Sequence, residues 1–122
     1  MAVNSSHQKL VAWQEAMRLV EMIYRDTKGF PRDELFGLTT QMRRAAISVP
    51  SNIAEGAARN SSGELVQFLG IANGSMAELE TQLELAVRLG YMRADANIFE
   101  QLSRVGQLLV ALRKSVRARS VR

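Results

Sequence analysis

The spacing of the apolar residues constrains this chain more than any other feature. In the first segment Leu10, Trp13, Met17, Val20 and Tyr24 step by three, four, three and four, the interval that returns successive side chains to one face of an α-helix. From about Arg32 the rhythm resumes in Leu35, Leu38, Met42, Ala45, Val49, Ile53 and Ala57. It recurs in Leu65, Phe68, Leu69, Ala72, Met76, Leu79, Leu83 and Ala86, and again in Ile98, Leu102, Val105, Leu109, Leu112 and Val116. No stretch alternates with period two for long enough to form a strand. Gly29 and Pro31 stop the first segment, Asn60 and Ser61 the second, and Gly90 the third. Ser61-Ser62-Gly63-Glu64 reads as a capping box, in which serine hydroxyl and glutamate carboxylate satisfy each other's backbone amides. Connections this short favour antiparallel neighbours. The expected fold is therefore all-α, an antiparallel up-down-up-down four-helix bundle with helices about 20 to 28 residues long. The bundle is expected over residues 1–112, and 113–122 reads as a basic tail that ends the fourth helix.

Leu19, Ile23, Ile47, Val66, Ile71, Leu85 and Leu89 are more apolar positions than four seams need. They fit either a wide core face or a second, intersubunit face, and the second reading predicts a homo-oligomer. The middle helices also carry many small residues, from Ala45 to Ala58 and from Gly70 to Ala77, which let backbones approach closely.

The chain has 122 residues, enough for one domain that buries roughly two-thirds of its unfolded surface. Catalytic chemistry is poorly supplied. There is no cysteine and one histidine, His7, which reads as a disordered surface residue in a polar N-terminal segment. A di-iron bundle site would need Glu-x-x-His pairs. Glu78, Glu80 and Glu84 lack the histidine and read as a solvated acidic face. Gly70 and Gly74 form a lone GxxxG, a packing signal rather than a phosphate loop. Ser48, Ser51 and Ser75 have no base nearby in sequence. A non-enzymatic protein without metal or cofactor is expected. No apolar run is long enough to span a bilayer, and the stretch MAVNSSHQK has no hydrophobic signal region, so a cytoplasmic protein with no membrane partner is expected.

The net charge of +4 is unevenly placed. RKSVRARSVR, residues 113–122, holds Arg113, Lys114, Arg117, Arg119 and Arg122 and no acid, whereas residues 1–112 carry 11 basic and 12 acidic groups. Such a tail is either a solvated helix end or an arm that binds phosphate.

One stretch breaks the helical pattern. AAISVPSNIAEGAARN, residues 45–60, places Pro50, Asn52 and Gly56 inside a predicted helix. An interior proline costs roughly 3 kcal/mol and frees the carbonyl four residues back, here that of Ala46. A bend is expected there, with Ser48, Ser51 and Asn52 able to bond to freed backbone. Gly56 leaves room for close packing, Glu55 stands four residues before Arg59 as a helical ion pair, and Arg43 and Arg44 precede the stretch.

The run FPRDELFGLTTQMRRAAISVPSNIAEGAAR, followed by QFLGIANGSMAELETQLELAVRLGYM, resembles the bacterial four-helix-bundle family of 23S rRNA intervening-sequence-encoded proteins. That family includes relatives of the accessory variability determinant of diversity-generating retroelements. The resemblance covers about residues 10 to 112, and its structural motif falls on Ser48, Pro50, Asn52, Glu55, Gly56, Ser75 and Glu78. It implies a small cytoplasmic, non-enzymatic bundle that assembles as a homo-pentamer around a central channel. In the retroelement relatives it further implies nucleic-acid binding and association with a reverse transcriptase. Here Ala57 and Ala58 replace an aromatic-glycine pair, Ser61-Ser62-Gly63-Glu64 replaces a lysine-rich start, and Asn73 stands where relatives often place a base. The cations left to contact RNA or DNA are Arg43, Arg44 and Arg59, with Arg113, Lys114, Arg117 and Arg119 of the tail. Two functions follow as expectations: a homo-oligomeric accessory protein that contacts nucleic-acid phosphate, or an oligomeric scaffold for a protein partner.

Overall fold

The computed structural model describes residues 6–120, so residues 1–5 of the N-terminal segment and Arg122 of the tail lie outside the described residues. Among the described residues four α-helices make up the fold: α1 Val11–Thr27, α2 Thr40–Ala57, α3 Ser62–Arg88 and α4 Ile98–Ser120. Each packs on the next and α4 closes against α1, giving the antiparallel up-down-up-down bundle, with no strand among the described residues. Leu69, Leu79 and Leu83 of α3 and Ile98, Val105 and Leu109 of α4 are buried on the seams that periodicity marks. Val116 is also buried, and α4 runs without interruption past residue 112.

The first helix is rotated from its expected seam. Its core stripe is Ala12, Ala16, Leu19, Ile23 and Thr27, while Met17 and Tyr24 are exposed and Trp13 and Val20 half-buried. The two stripes differ by one residue, about 100° around the axis. Leu19 and Ile23, surplus in the expected seam, are in fact fully buried. The physical reason is polar satisfaction. A buried tryptophan or tyrosine needs a partner for its N–H or O–H. The only polar side chain of the buried stripe, Thr27, donates its hydroxyl to the Ile23 carbonyl at 2.7 Å.

The second helix begins eight residues later than expected. Arg32–Glu34 form one tight turn and Leu35–Thr39 a wide one, broken at Gly37 (φ −116°, ψ −114°). Glu34 holds this segment by accepting the Leu38 amide at 3.1 Å and the Tyr91 hydroxyl at 3.0 Å. The Glu34 carboxylate raises the Tyr91 phenol above its ordinary value, first through that hydrogen bond. Leu35 is consequently half-exposed and Phe36 is 93% exposed.

The helix ends follow their local chemistry. Ser61 accepts the Glu64 amide at 3.2 Å and opens α3. The reciprocal half of the box differs from expectation, since the Glu64 carboxylate takes the Ser61 hydroxyl rather than its amide. Gly90 (φ 80°) closes α3, with Tyr91 N–H on the Ala86 carbonyl and Gly90 N–H on that of Val87, a Schellman pattern. Of the two GxxxG glycines, which share a helix face, only one meets a neighbour. Gly70 lies under the Arg113 guanidinium, and a side chain at Gly74 would meet nothing within 4 Å. His7 packs edge-on against Trp13, ring centroids 5.0 Å apart, rather than standing free.

One surface tie joins the first and last helices. Gln101 donates to the Glu15 carbonyl and carboxylate at 2.9 and 3.0 Å, and Arg104 pairs with that carboxylate at 3.1 Å. Gln101's bond, against desolvation and with help from Arg104, holds Glu15 below the usual 4.5. A depressed carboxylate stabilises the fold above its unfolded pKa, and that contribution is lost as pH falls through the folded value. Urea melts between pH 7 and pH 3 should therefore show a smaller acid loss for Glu15→Gln than for the parent. Equal losses would refute this linkage.

Candidate nucleic-acid interface

The interrupted stretch of α2 is a packing device. Pro50 is buried within an unbroken helix, facing α1 beside Trp13, Val20 and Ala54. Asn52 donates to the carbonyl and the hydroxyl of Ser48 at 2.8 and 2.9 Å, rather than to the Ala46 carbonyl freed by Pro50. The Ser48 hydroxyl in turn meets the Ser75 hydroxyl of α3 at 2.8 Å. Ser51 is exposed. Three short polar groups thus satisfy one another across the α2–α3 seam, which is what a polar contact inside a bundle requires. One turn on, a Cβ at Gly56 would lie 2.8 Å from the Phe68 Cβ and 2.9 Å from the Leu65 Cδ1, so the helices touch there. Glu78 is exposed on the outer side of α3.

Three of the seven candidate cations meet identified groups of the chain. Arg43 donates to the Thr27 hydroxyl at 3.0 Å and lies over the Tyr24 ring at 4.6 Å. Arg59 pairs with Glu55 at 3.0 Å, as their spacing predicts, and lies over the Phe68 ring at 5.0 Å. Arg113 crosses α3 at Gly70 and donates to the Val66 carbonyl at 3.2 Å. Arg44, Arg59, Lys114, Arg117 and Arg119 are exposed. Arg44 lies on α2 and Arg59 just past its end, whereas the other three share the last turns of α4. From Gln101 to Arg119 that helix carries no acid.

The partners Tyr24, Thr27, Phe68 and Val66 are invisible to helical spacing because they belong to other helices. Sequence reasoning also missed a groove between α3 and α4. Two adjoining cavities of about 590 and 280 Å³ meet at Asn73 and Val110, and Met76, Gly106 and Ala111 line the larger one. Val110, 58% exposed, is apolar but off the seam, the one signal that pointed there. Among the described residues no three His, Cys, Asp or Glu side chains gather to hold a metal ion, and no helix is long and apolar enough to cross a membrane.

Residues 8–111 match the family described as 23S rRNA-intervening sequence protein. The chain belongs to that family. A solved structure from Bacteroides thetaiotaomicron VPI-5482, described as a protein of unknown function from the S23 ribosomal protein family, is similar with a TM-score of 0.77. It is 22% identical, and the match covers 85% of this chain and 96% of that one. At that identity the likeness concerns the bundle alone. No curated protein matches the chain. The family match ends at residue 111, just before the basic turns of α4.

Proposed function

We propose that this family member is a non-enzymatic, homo-oligomeric accessory protein of the cytoplasm that contacts RNA or DNA through phosphate. The observation that carries the reading is the end of α4, where Lys114, Arg117 and Arg119 are exposed on a helix with no acid after Glu100. Point charges on a helix surface hold a backbone without reading bases. Assembly as a pentamer, which the family resemblance implies, would present that set of cations five times and raise avidity without new contacts. A reverse transcriptase is the protein partner the same resemblance implies.

The test is binding of fluorescent duplex DNA and of structured RNA across a salt series. Log K for duplex DNA should fall against log salt by about 0.9 per phosphate contact, and changing Lys114, Arg117 and Arg119 together to alanine should flatten the slope by about 3. Deleting residues 113–122 is the poorer variant, because it removes the buried Val116 and the Arg113 strap. Absence of binding at ~50 mM salt would overturn the reading.

A second reading, an oligomeric scaffold for a protein, is favoured by a different observation. Arg43 and Arg113 are half-buried and bonded to other helices, while Ile47, Ile71, Leu85 and Leu89 are each more than two-fifths exposed. Light scattering separates an assembly from a monomer of 13.6 kDa.

A further inference from the structure

We infer that the α3–α4 groove is the docking site for an amphipathic helix of a protein partner, a helix with acidic residues clustered at one end. The inference goes beyond the phosphate reading and does not depend on it.

Shape argues for a helix. On α4 the groove runs from Leu102 to Arg117, roughly 22 Å at 1.5 Å per residue, which matches a partner helix of about four turns. Its lining is apolar at Met76 and Val110, and Gly106 and Ala111 lack the bulk that would hold a second backbone away. Val110 is a large apolar residue left 58% exposed where the two cavities meet. Filling the groove removes it from water, the central feature of an interaction hot spot.

Charge says which helix. At one end Arg113, Lys114 and Arg117 line the cavity, and no acid does. At the other end Glu80 lines the wall beside Ser103 and Gln107. A partner with carboxylates toward the Lys114 end and none beside Glu80 matches this polarity, while the reverse helix sets like charges together. A nucleic-acid backbone matches the basic end but would leave the apolar lining at Met76 and Val110 uncovered.

The probe is a fluorescein-labelled synthetic helix of about 18 residues, with leucines three and four apart and glutamates in its last turn. A counterpart carries lysine for glutamate. Fluorescence anisotropy with the full chain should show the acidic peptide binding at least about tenfold more tightly than the lysine one. Gly106→Phe fills the groove, where the nearest atom to a new Cβ is Met76 Cε at 4.0 Å, and should weaken acidic-peptide binding about tenfold. Val110→Glu, at an exposed position, should do the same, with circular dichroism confirming the fold. Lys114→Glu should reverse the order of the two peptides. Equal binding of both peptides, or binding unchanged in Gly106→Phe and Val110→Glu, overturns the inference. So does an assembly that refuses the peptide and that Val110→Glu converts to monomer, because the groove would then belong to a second copy. Phosphate binding is read separately in the Lys114, Arg117 and Arg119 variant, so either reading can fail while the other stands.

Discussion

Leu19→Ala is expected to cost about 2–5 kcal/mol of folding stability, and Met17→Ala, two residues away, less than about 1. Leu19 is fully buried in the stripe that α1 turns to the core, and alanine there leaves a cavity that closely packed helices close only in part. Met17 is 42% exposed above the α1–α2 groove, so truncating it removes far less buried area. Urea unfolding followed at 222 nm measures both, and the first should lower the midpoint with m nearly unchanged. Equal costs, or a larger cost at Met17, would mean that α1 presents the Trp13-Met17-Val20 stripe to the core instead. The comparison tests the rotation of a helix with two single substitutions.

Gly56→Val is the second large expectation, a loss of about 3 kcal/mol or more. A Cβ added there would sit 2.8 Å from the Phe68 Cβ and 3.4 Å from the Leu65 Cα, atoms close to or in the backbone of α3. Valine adds two methyls to that contact, so α2 and α3 must separate where their hairpin begins. The better helix propensity of a non-glycine residue offsets only a few tenths of this. Gly74→Ala supplies the contrast: nothing lies within 4 Å of the new methyl, so this mid-helix substitution should stabilise by up to about 1 kcal/mol. Thermal melts of the pair should move in opposite directions. A neutral Gly56→Val would show that the hairpin does not close on that glycine.

The two glycines show where reading the chain stops. Both lie inside apolar helices and both look like packing signals, yet one is pressed against α3 and the other faces open space. Spacing along a helix reports which residues share a face, and where two apolar faces compete it does not say which one meets a neighbour. The third and fourth helices were legible because each has one dominant apolar stripe. The first was not, because it has two stripes a residue apart, and bulk favoured the wrong one. Small residues won the core of α1 there, since Ala12 and Ala16 allow close approach and leave no buried N–H or O–H unmet. The candidate interface was half legible for a related reason. A run of cations without an acid can be counted, but the engagement of Arg43, Arg59 and Arg113 depends on rings, a hydroxyl and a carbonyl from other helices.

By itself, then, the sequence determined four amphipathic helices, their caps and stops, their antiparallel order, the family motif around Pro50 and the cationic end of α4. These are local properties, set by 3.6-residue periodicity, capping chemistry and loop length. Only the tertiary structure decided the rotation of α1, the late start of α2 after Gly37, the Ser48–Asn52–Ser75 contact, the arginines that remain exposed and the groove along α3 and α4. Each of those depends on how one helix is turned against another. That rotation is chosen by the sum of many long-range contacts, and no short window of residues contains it.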